Sequence, residues 1–280
     1  MKATYDEPPM PWNTTEFAPD HSLDLNRSNA AKQRLFSLKH EPLFIADWDK
    51  ALMIHYRVDA QELQGVVPFE LDLWEGNAYV SLVAFTMRGM RPRFGGRWTG
   101  WLFHPIATHD FLNLRTYVRC GGERGIYFIT EWLENRLSLL LGPRTFGLPY
   151  RYAAIQYRHE SAKGFLEGQV VDPSGLAFRY RGTVDQSGTP SPPDAGSFAE
   201  FLMEHYTAFT AARGPRRFFR VWHLPWLQRT ANVEITDTSL IERHWNFFGG
   251  ARTIGANYSA GLKNVWMGWP HGIEKLGTLR

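Results

Sequence analysis

Apolar and polar positions along this chain repeat mostly with a period of two, which predicts strands rather than helices. Ala51 to Val58, "ALMIHYRV", reads as a strand, followed by an Asp59 cap, a short helix and a Val66-Val67-Pro68 stop. "FELDLWEGNAYVSLVAFTM" predicts two strands joined at Glu75-Gly76-Asn77, a hairpin signal. "FLNLRTYVRC" and "GIYFITEWL" predict strands around Gly121-Gly122, and "ENRLSLLLGPRTFG" a short helix ending near Gly142-Pro143. "YAAIQYRHE", "AKGFLEGQVV" and "LAFRYRGTV" follow as strands, the last two joined at an Asp172-Pro173-Ser174-Gly175 turn. Further strands are expected in "RRFFRVWHLPW", "RTANVEIT", "GANYSAGL" and "NVWMGWP", with a short helix near "DTSLIERHW". Ser197 and Glu200 form a capping box ahead of the stripe Phe198, Phe201, Leu202 and Tyr206. Many near-regular strands with few short helices predict an α+β domain with a closed or nearly closed antiparallel, β-barrel-like core.

Between these elements, "RGMRPRFGGRWTGWLFHPIATHD" reads as a long loop and "DQSGTPSPPDAGS" as a surface loop. Residues 1–27 carry no period and read as a tail, with Ser28 as a candidate N-cap and one domain over residues 28–280. The chain has 11 Trp, 11 Tyr and 19 Phe, enough for a large core or for lining a cavity. Its net charge of +3 is spread along the sequence, without the basic stripe that nucleic acid favours. The one cysteine, Cys120, excludes an intrachain disulfide framework or thiolate metal site. With no apolar leader and no apolar run of about 18 residues, neither a signal peptide nor a membrane span is expected, and the expected compartment is the cytoplasm. His104 and His109 lie five apart, not the four that sets two ligands on one helix face, so no metal is expected. His223, before Leu224-Pro225, reads as a packed side chain. The phosphate-loop, dinucleotide, nucleophile-elbow and His-Glu-x-x-His motifs are absent, and no cofactor is expected.

Chemistry is concentrated in two places. In "FLNLRTYVR", Leu112, Leu114, Thr116 and Val118 share a core face, while Phe111, Asn113, Arg115, Tyr117 and Arg119 share the other. That second face is either a solvated exterior or a cavity wall on which Arg115 anchors an anion, with Asn113 and Tyr117 beside it. Glu131 and Glu134 are either surface acids at a helix start or, for Glu131 on a buried strand, a general base; Glu167 carries the same ambiguity. The second place is "TFGLPYRYA", where Tyr150 and Arg151 follow a Gly-Leu-Pro corner.

The stretches "VSLVAFTMRGMRPR", "FLNLRTYV", "RGIYFITEWLENRLSLLLGPRTFGLPYRYA" and "FAEFLMEHY" resemble the YqjF-like family of bacterial proteins over roughly residues 40 to 270, with Phe111 standing where that family has an acid. "YRVDAQELQGVVPFELDL" is more distantly similar to acetoacetate decarboxylases, whose Tyr-Pro-Lys-Lys motif falls where this chain has "GLPYRYA". The resemblance implies their fold and an internal pocket. It sets Tyr150 at the Schiff-base lysine and Arg151 at the neighbouring cation. A phenol cannot form an imine, so Schiff-base decarboxylation is not expected. The resulting expectation is a binder of, or a lyase- or isomerase-like enzyme acting on, a small organic acid or carbonyl compound. Tyr150 and Glu131 would be catalytic, and Arg115, Arg151, Asn113 and Tyr117 would bind substrate. A non-catalytic binding or structural protein of the same fold is the alternative, and a homo-oligomer is compatible with either.

Overall fold

The computed structural model describes residues 21–38, 40–94, 101–212 and 214–276. In chain order the elements are α1 (His21–Phe36), β1 (Phe44–Val58), α2 (Ala60–Gln64), β2 (Glu70–Leu71), β3 (Ala78–Pro92), β4 (His109–Cys120) and β5 (Glu123–Leu133). Then come α3 (Arg136–Thr145), β6 (Tyr150–Tyr152), β7 (Ala154–Glu160), β8 (Phe165–Val171), β9 (Ala177–Val184), α4 (Phe198–Met203) and β10 (Thr207–Thr210). The chain continues through β11 (Arg217–Trp222), β12 (Gln228–Asp237), α5 (Ser239–Glu242), β13 (Arg252–Met267) and β14 (His271–Gly272).

Strands β11, β10, β5, β4, β3, β1 and β13 follow one another in a single sheet, and β13 pairs again with β11 through Val221–Met267 and Trp222–Trp266. The sheet therefore closes into a barrel-like ring, which leaves no free edge along it. From β13 it extends outward through β12, β9, β8 and β7. The expected antiparallel core is corrected to a mixed one, because β10 and β6 each run parallel to β5. Inside the ring lies one core, including Met53, Val83, Phe85, Phe111, Tyr117, Leu133 and Phe219. Outside it lies a second, in which Leu112, Leu114, Val118, Trp132 and Phe178 are covered by α2, α5 and the outer strands. Both faces of β4 are thus buried, as a wall between two cores requires, and the expected alternation along it is observed.

Several local expectations hold for physical reasons. Asp59 caps α2 by accepting from the Gln61 and Glu62 N–H groups. Asp172 accepts from the Ser174 and Leu176 N–H groups and closes the β8–β9 turn. Ser197 caps α4 at the Glu200 N–H. Three expectations need correction. β2 pairs with β4 rather than β3, so Glu75-Gly76-Asn77 closes only a local Trp74–Asn77 bridge. "GANYSAGL" and "NVWMGWP" belong to one strand, β13. Its Gly261 is not a break: a Cβ there would lie 2.2 Å from the Trp48 carbonyl oxygen, and its φ is +128°. Ser28 does not cap a helix, since α1 begins at His21 and the boundary drawn at residue 27 falls within it. Instead Ser28 donates to the His223 carbonyl and its own carbonyl accepts from the Trp222 indole, tying α1 to β11. Part of the expected long loop, residues 95–100, lies outside the described residues, as does most of the tail.

Candidate active site inside the ring

The inner core is not filled completely. A cavity of about 100 Å³ remains, bordered by Asn113 and Arg115 of β4, Glu131 of β5, Tyr150 of β6, and His205 and His223. Aromatic and aliphatic walls enclose it, with Trp48, Phe85, Phe111, Leu148, Phe219 and Trp226 among them.

Strand pairing brings the polar members together. Asn113 sits directly across from Glu131 on β5, and Glu131 directly across from Tyr150 on β6. Arg115 is two residues along β4 from Asn113 and therefore on the same face. An irregularity between Leu114 and Arg115 shifts the β4–β5 register, placing Arg115 opposite Phe128. The Phe-Gly-Leu-Pro corner delivers Tyr150. Gly147 there has a φ of +71°, a conformation open to glycine. Gly142 of α3 leaves room for the tyrosine ring, which lies 2.2 Å from where a Cβ would stand.

Arg115 is 7% exposed, and among the described residues no carboxylate lies within 4.0 Å of it. One guanidinium nitrogen donates to the Leu202 carbonyl at 3.3 Å and approaches the Met53 sulfur at 3.7 Å. Its Nε has no partner, and neither do Asn113 Oδ1 and Glu131 Oε2. Buried polar atoms are almost always paired, so three such atoms around one cavity need a common explanation. Burial pushes the Glu131 carboxyl up to about 8, leaving it mostly protonated at neutral pH. Burial, and then the neighbouring Glu131 charge, raise the Tyr150 phenol well above its usual range. The two histidines are held neutral, His205 near 3 and His223 near 4, by burial first and with Arg115 adding repulsion. His205 Nε2 donates to the Phe201 carbonyl at 2.6 Å, which leaves the lone pair on Nδ1.

Asn113, Arg115, Glu131 and Tyr150 thus share one concavity. Arg151 does not. It follows Tyr150 on a strand, so its side chain takes the opposite face, where it is exposed and its guanidinium lies 5.4 Å from the Trp245 ring centre. Tyr117 lies on the inner face but is not part of the cavity wall: its hydroxyl is engaged with Ser81 and Leu202. Glu131 belongs to a strand rather than a helix start, since α3 begins only after Asn135, which caps it at the Ser138 N–H. Glu134 and Glu167 are exposed. His205 carried no signal in the sequence, and His223 read as packing; non-local contacts alone bring them here. Among the described residues no lysine borders the cavity. A larger open cleft of about 620 Å³ under α1 shares His205 and Thr207 with the cavity. Its charges are largely matched within the protein, Arg27 to Glu200 and Arg124 to Asp72. The described residues hold no group of three metal-ligating side chains.

The fold is that of acetoacetate decarboxylase. The acetoacetate decarboxylase of Legionella pneumophila superposes with a TM-score of 0.59 at 14% identity, over 82% of this chain and 86% of its own. The enduracididine biosynthesis enzyme MppR, in a complex with pyruvate, superposes with a TM-score of 0.58 at 14% identity, over 84% of this chain and 91% of its own. In sequence, the chain is 30% identical to the uncharacterized protein YqjF of Bacillus subtilis (strain 168) over 201 residues, 70% of this chain and 79% of that protein. Residues 45–247 match the DUF2071 family, described as an uncharacterized conserved protein, and the chain belongs to that family.

Proposed function

We propose that this protein binds a small organic acid or carbonyl compound in the cavity inside its ring and acts on it by proton transfer, without a Schiff base. The observation that carries the reading is Arg115, a buried guanidinium with an unpaired Nε and, among the described residues, no carboxylate partner, bordering a cavity. A buried cation is costly unless an anion meets it, and a guanidinium grips a carboxylate with two parallel hydrogen bonds. The cavity volume suits a ligand of a few heavy atoms rather than a long chain. That the similar fold of MppR is seen with pyruvate supports the same ligand class here.

In this reading Arg115 holds the carboxylate and Asn113 supplies a further polar contact. The Tyr150 phenol hydrogen-bonds the carbonyl oxygen. Glu131, neutral at pH 7, gives a proton to that oxygen as the adjacent carbon loses one, and the neutral imidazole of His205 is the acceptor. The product is the enol, so the reaction class is lyase- or isomerase-like chemistry at an enolisable carbon. Lysine chemistry has no place in it, because the described residues of the cavity wall carry no amine.

The test is pyruvate binding by titration calorimetry with the wild type and with Arg115→Met. The variant should fold normally, since it exchanges a buried charge for an apolar chain of similar length, and it should lose carboxylate affinity. Equal affinity in the two proteins would overturn the reading. Deuterium appearing in the pyruvate methyl group in heavy water separates an enzyme from a pure binder.

A further inference from the structure

The inner face of the ring carries a second polar feature, a row running across four strands. Arg115 on β4 sits directly across from Ser81 on β3, and Ser81 directly across from His55 on β1. Asn257 on β13 completes the row. All are buried, His55 and Ser81 completely. His55 Nε2 meets Asn257 Oδ1 at 3.1 Å, and His55 Nδ1 meets Ser81 Oγ at 2.7 Å. Ser81 Oγ meets the Tyr117 hydroxyl at 2.5 Å, and the Tyr117 hydroxyl and the Arg115 guanidinium both donate to the Leu202 carbonyl, at 3.0 and 3.3 Å. At the far end the Asn257 amide donates to Gln228 Oε1 at 2.7 Å. A row of hydrogen-bonding side chains stands where apolar ones would fill the core more cheaply, which calls for a purpose.

The direction of every proton in the row follows from its far end. Because the Asn257 amide is given to Gln228, its carbonyl oxygen is what faces His55. His55 must then donate from Nε2, and burial with the nearby Arg115 charge keeps it neutral with that single ring proton. Its Nδ1 is therefore an acceptor, so the Ser81 hydroxyl donates to it. Ser81 then accepts the Tyr117 proton, which is shared with the Leu202 carbonyl at 3.0 Å, and the Tyr117 oxygen keeps its lone pairs for Arg115. The guanidinium donates to the same Leu202 carbonyl at 3.3 Å.

The geometry points to His55, Ser81 and Tyr117 as positioning residues that lock Arg115 in place through neutral acceptors, so that its whole charge is presented to an anion in the cavity. A carboxylate partner would fix the guanidinium equally well but would cancel the charge that the ligand needs. The inference rests on the proposed anion-binding role of Arg115, while the proton order in the row stands or falls independently.

Two measurements separate them. In nitrogen NMR of the wild type, His55 should show the Nε2–H tautomer without titrating between about pH 5 and 8. The Arg115 guanidinium should show slow rotation of its terminal nitrogens. A Nδ1–H or charged His55 would overturn the proton order whether or not any ligand binds. The second measurement is pyruvate affinity in Ser81→Ala, Tyr117→Phe and Ser81→Thr. Loss of the ordered acceptor should weaken binding about tenfold in the first two, the scale of one charge-assisted hydrogen bond. It should also free the guanidinium rotation, and the hydroxyl of threonine should restore both. If Ser81→Ala keeps wild-type affinity and slow rotation while Arg115→Met abolishes binding, the positioning role is wrong and the cavity reading survives. If the wild type does not bind pyruvate, the cavity reading loses its support, and the guanidinium rotation in Ser81→Ala still decides the positioning role.

Discussion

Glu131→Gln isolates the most perturbed acid of the cavity. The folded protein holds the Glu131 proton up to about pH 8, whereas an unfolded glutamate releases it near 4.5. Between these values the folded state binds more protons than the unfolded state, so stability falls as pH rises. Other groups oppose this. His55, His205 and His223 titrate near 3, 3 and 4 when folded against 6.5 when unfolded, and they stabilise the fold as pH rises. His109 and His159, near 4 when folded, do the same, and all five are still half protonated in the unfolded chain at 6.5, so they go on adding stability until about pH 8. Glu204, raised by burial to about 7, acts in the same direction as Glu131 up to about that value.

The histidine and Glu204 contributions are shared by the wild type and Glu131→Gln, so the difference between the two proteins across about pH 6.5 to 8 belongs to Glu131. At about 1.4 kcal/mol per pH unit, the wild type should lose about 2 kcal/mol relative to the variant across that window. Glutamine keeps the shape of the protonated acid and cannot ionise, so the variant lacks this loss. Urea unfolding at the two pH values, with unchanged slopes, reads the difference directly. Wild-type and variant stabilities that run parallel across the window would refute the assignment of a buried, proton-holding Glu131.

Leu114→Ala should cost about 2–5 kcal/mol in the same unfolding assay, because its side chain is wholly buried in the outer core. A near-neutral result would mean that β4 does not separate two cores. Arg151→Ala, which removes an exposed guanidinium stacked on Trp245, should cost at most about 1 kcal/mol and leave pyruvate affinity unchanged; a tenfold loss of affinity would return Arg151 to the site. Borohydride treatment with acetoacetate should add no mass to any of the seven lysines, and a trapped adduct on one of them would restore Schiff-base chemistry.

The sequence disclosed the parts of the fold whose signal is local. Alternation along β4 separated Leu114 from Arg115 without reference to any other strand, and the Asp59, Asp172 and Ser197 turns follow from side chains reaching their own backbone. What it hid depends on partners distant in the chain. "GANYSAGL" and "NVWMGWP" read as separate strands because only the approach of Trp48, more than 200 residues away in sequence, shows why Gly261 must stand inside one continuous strand. His205 and His223 have no spacing in common with Glu131 and meet it only because the sheet closes. Arg151 escapes its motif for a different reason: it keeps the motif's position but, as the neighbour of inward-facing Tyr150 on a strand, points outward. Glu131 was ambiguous because Glu-Trp-Leu-Glu-Asn suits a helix start as well as a strand end, and the Asn135 cap decides between them.

A permanent cation gives this cavity a different character from one built on a titratable amine. A lysine can shed its proton when burial makes the charge too costly, and becomes a nucleophile by doing so. Burial lowers the Arg115 pKa as well, but a guanidinium starts too high to lose its proton at neutral pH. It therefore cannot attack a carbonyl, and it attracts an anion at any physiological pH. The neighbouring acid makes the opposite adjustment: Glu131 takes up a proton rather than neutralising Arg115 as an ion pair. The same wall thus holds a fixed positive charge and a removable proton, apart from one another. On the proposed reading, that separation suits a ligand with a carboxylate at one end and a proton-accepting oxygen at the other.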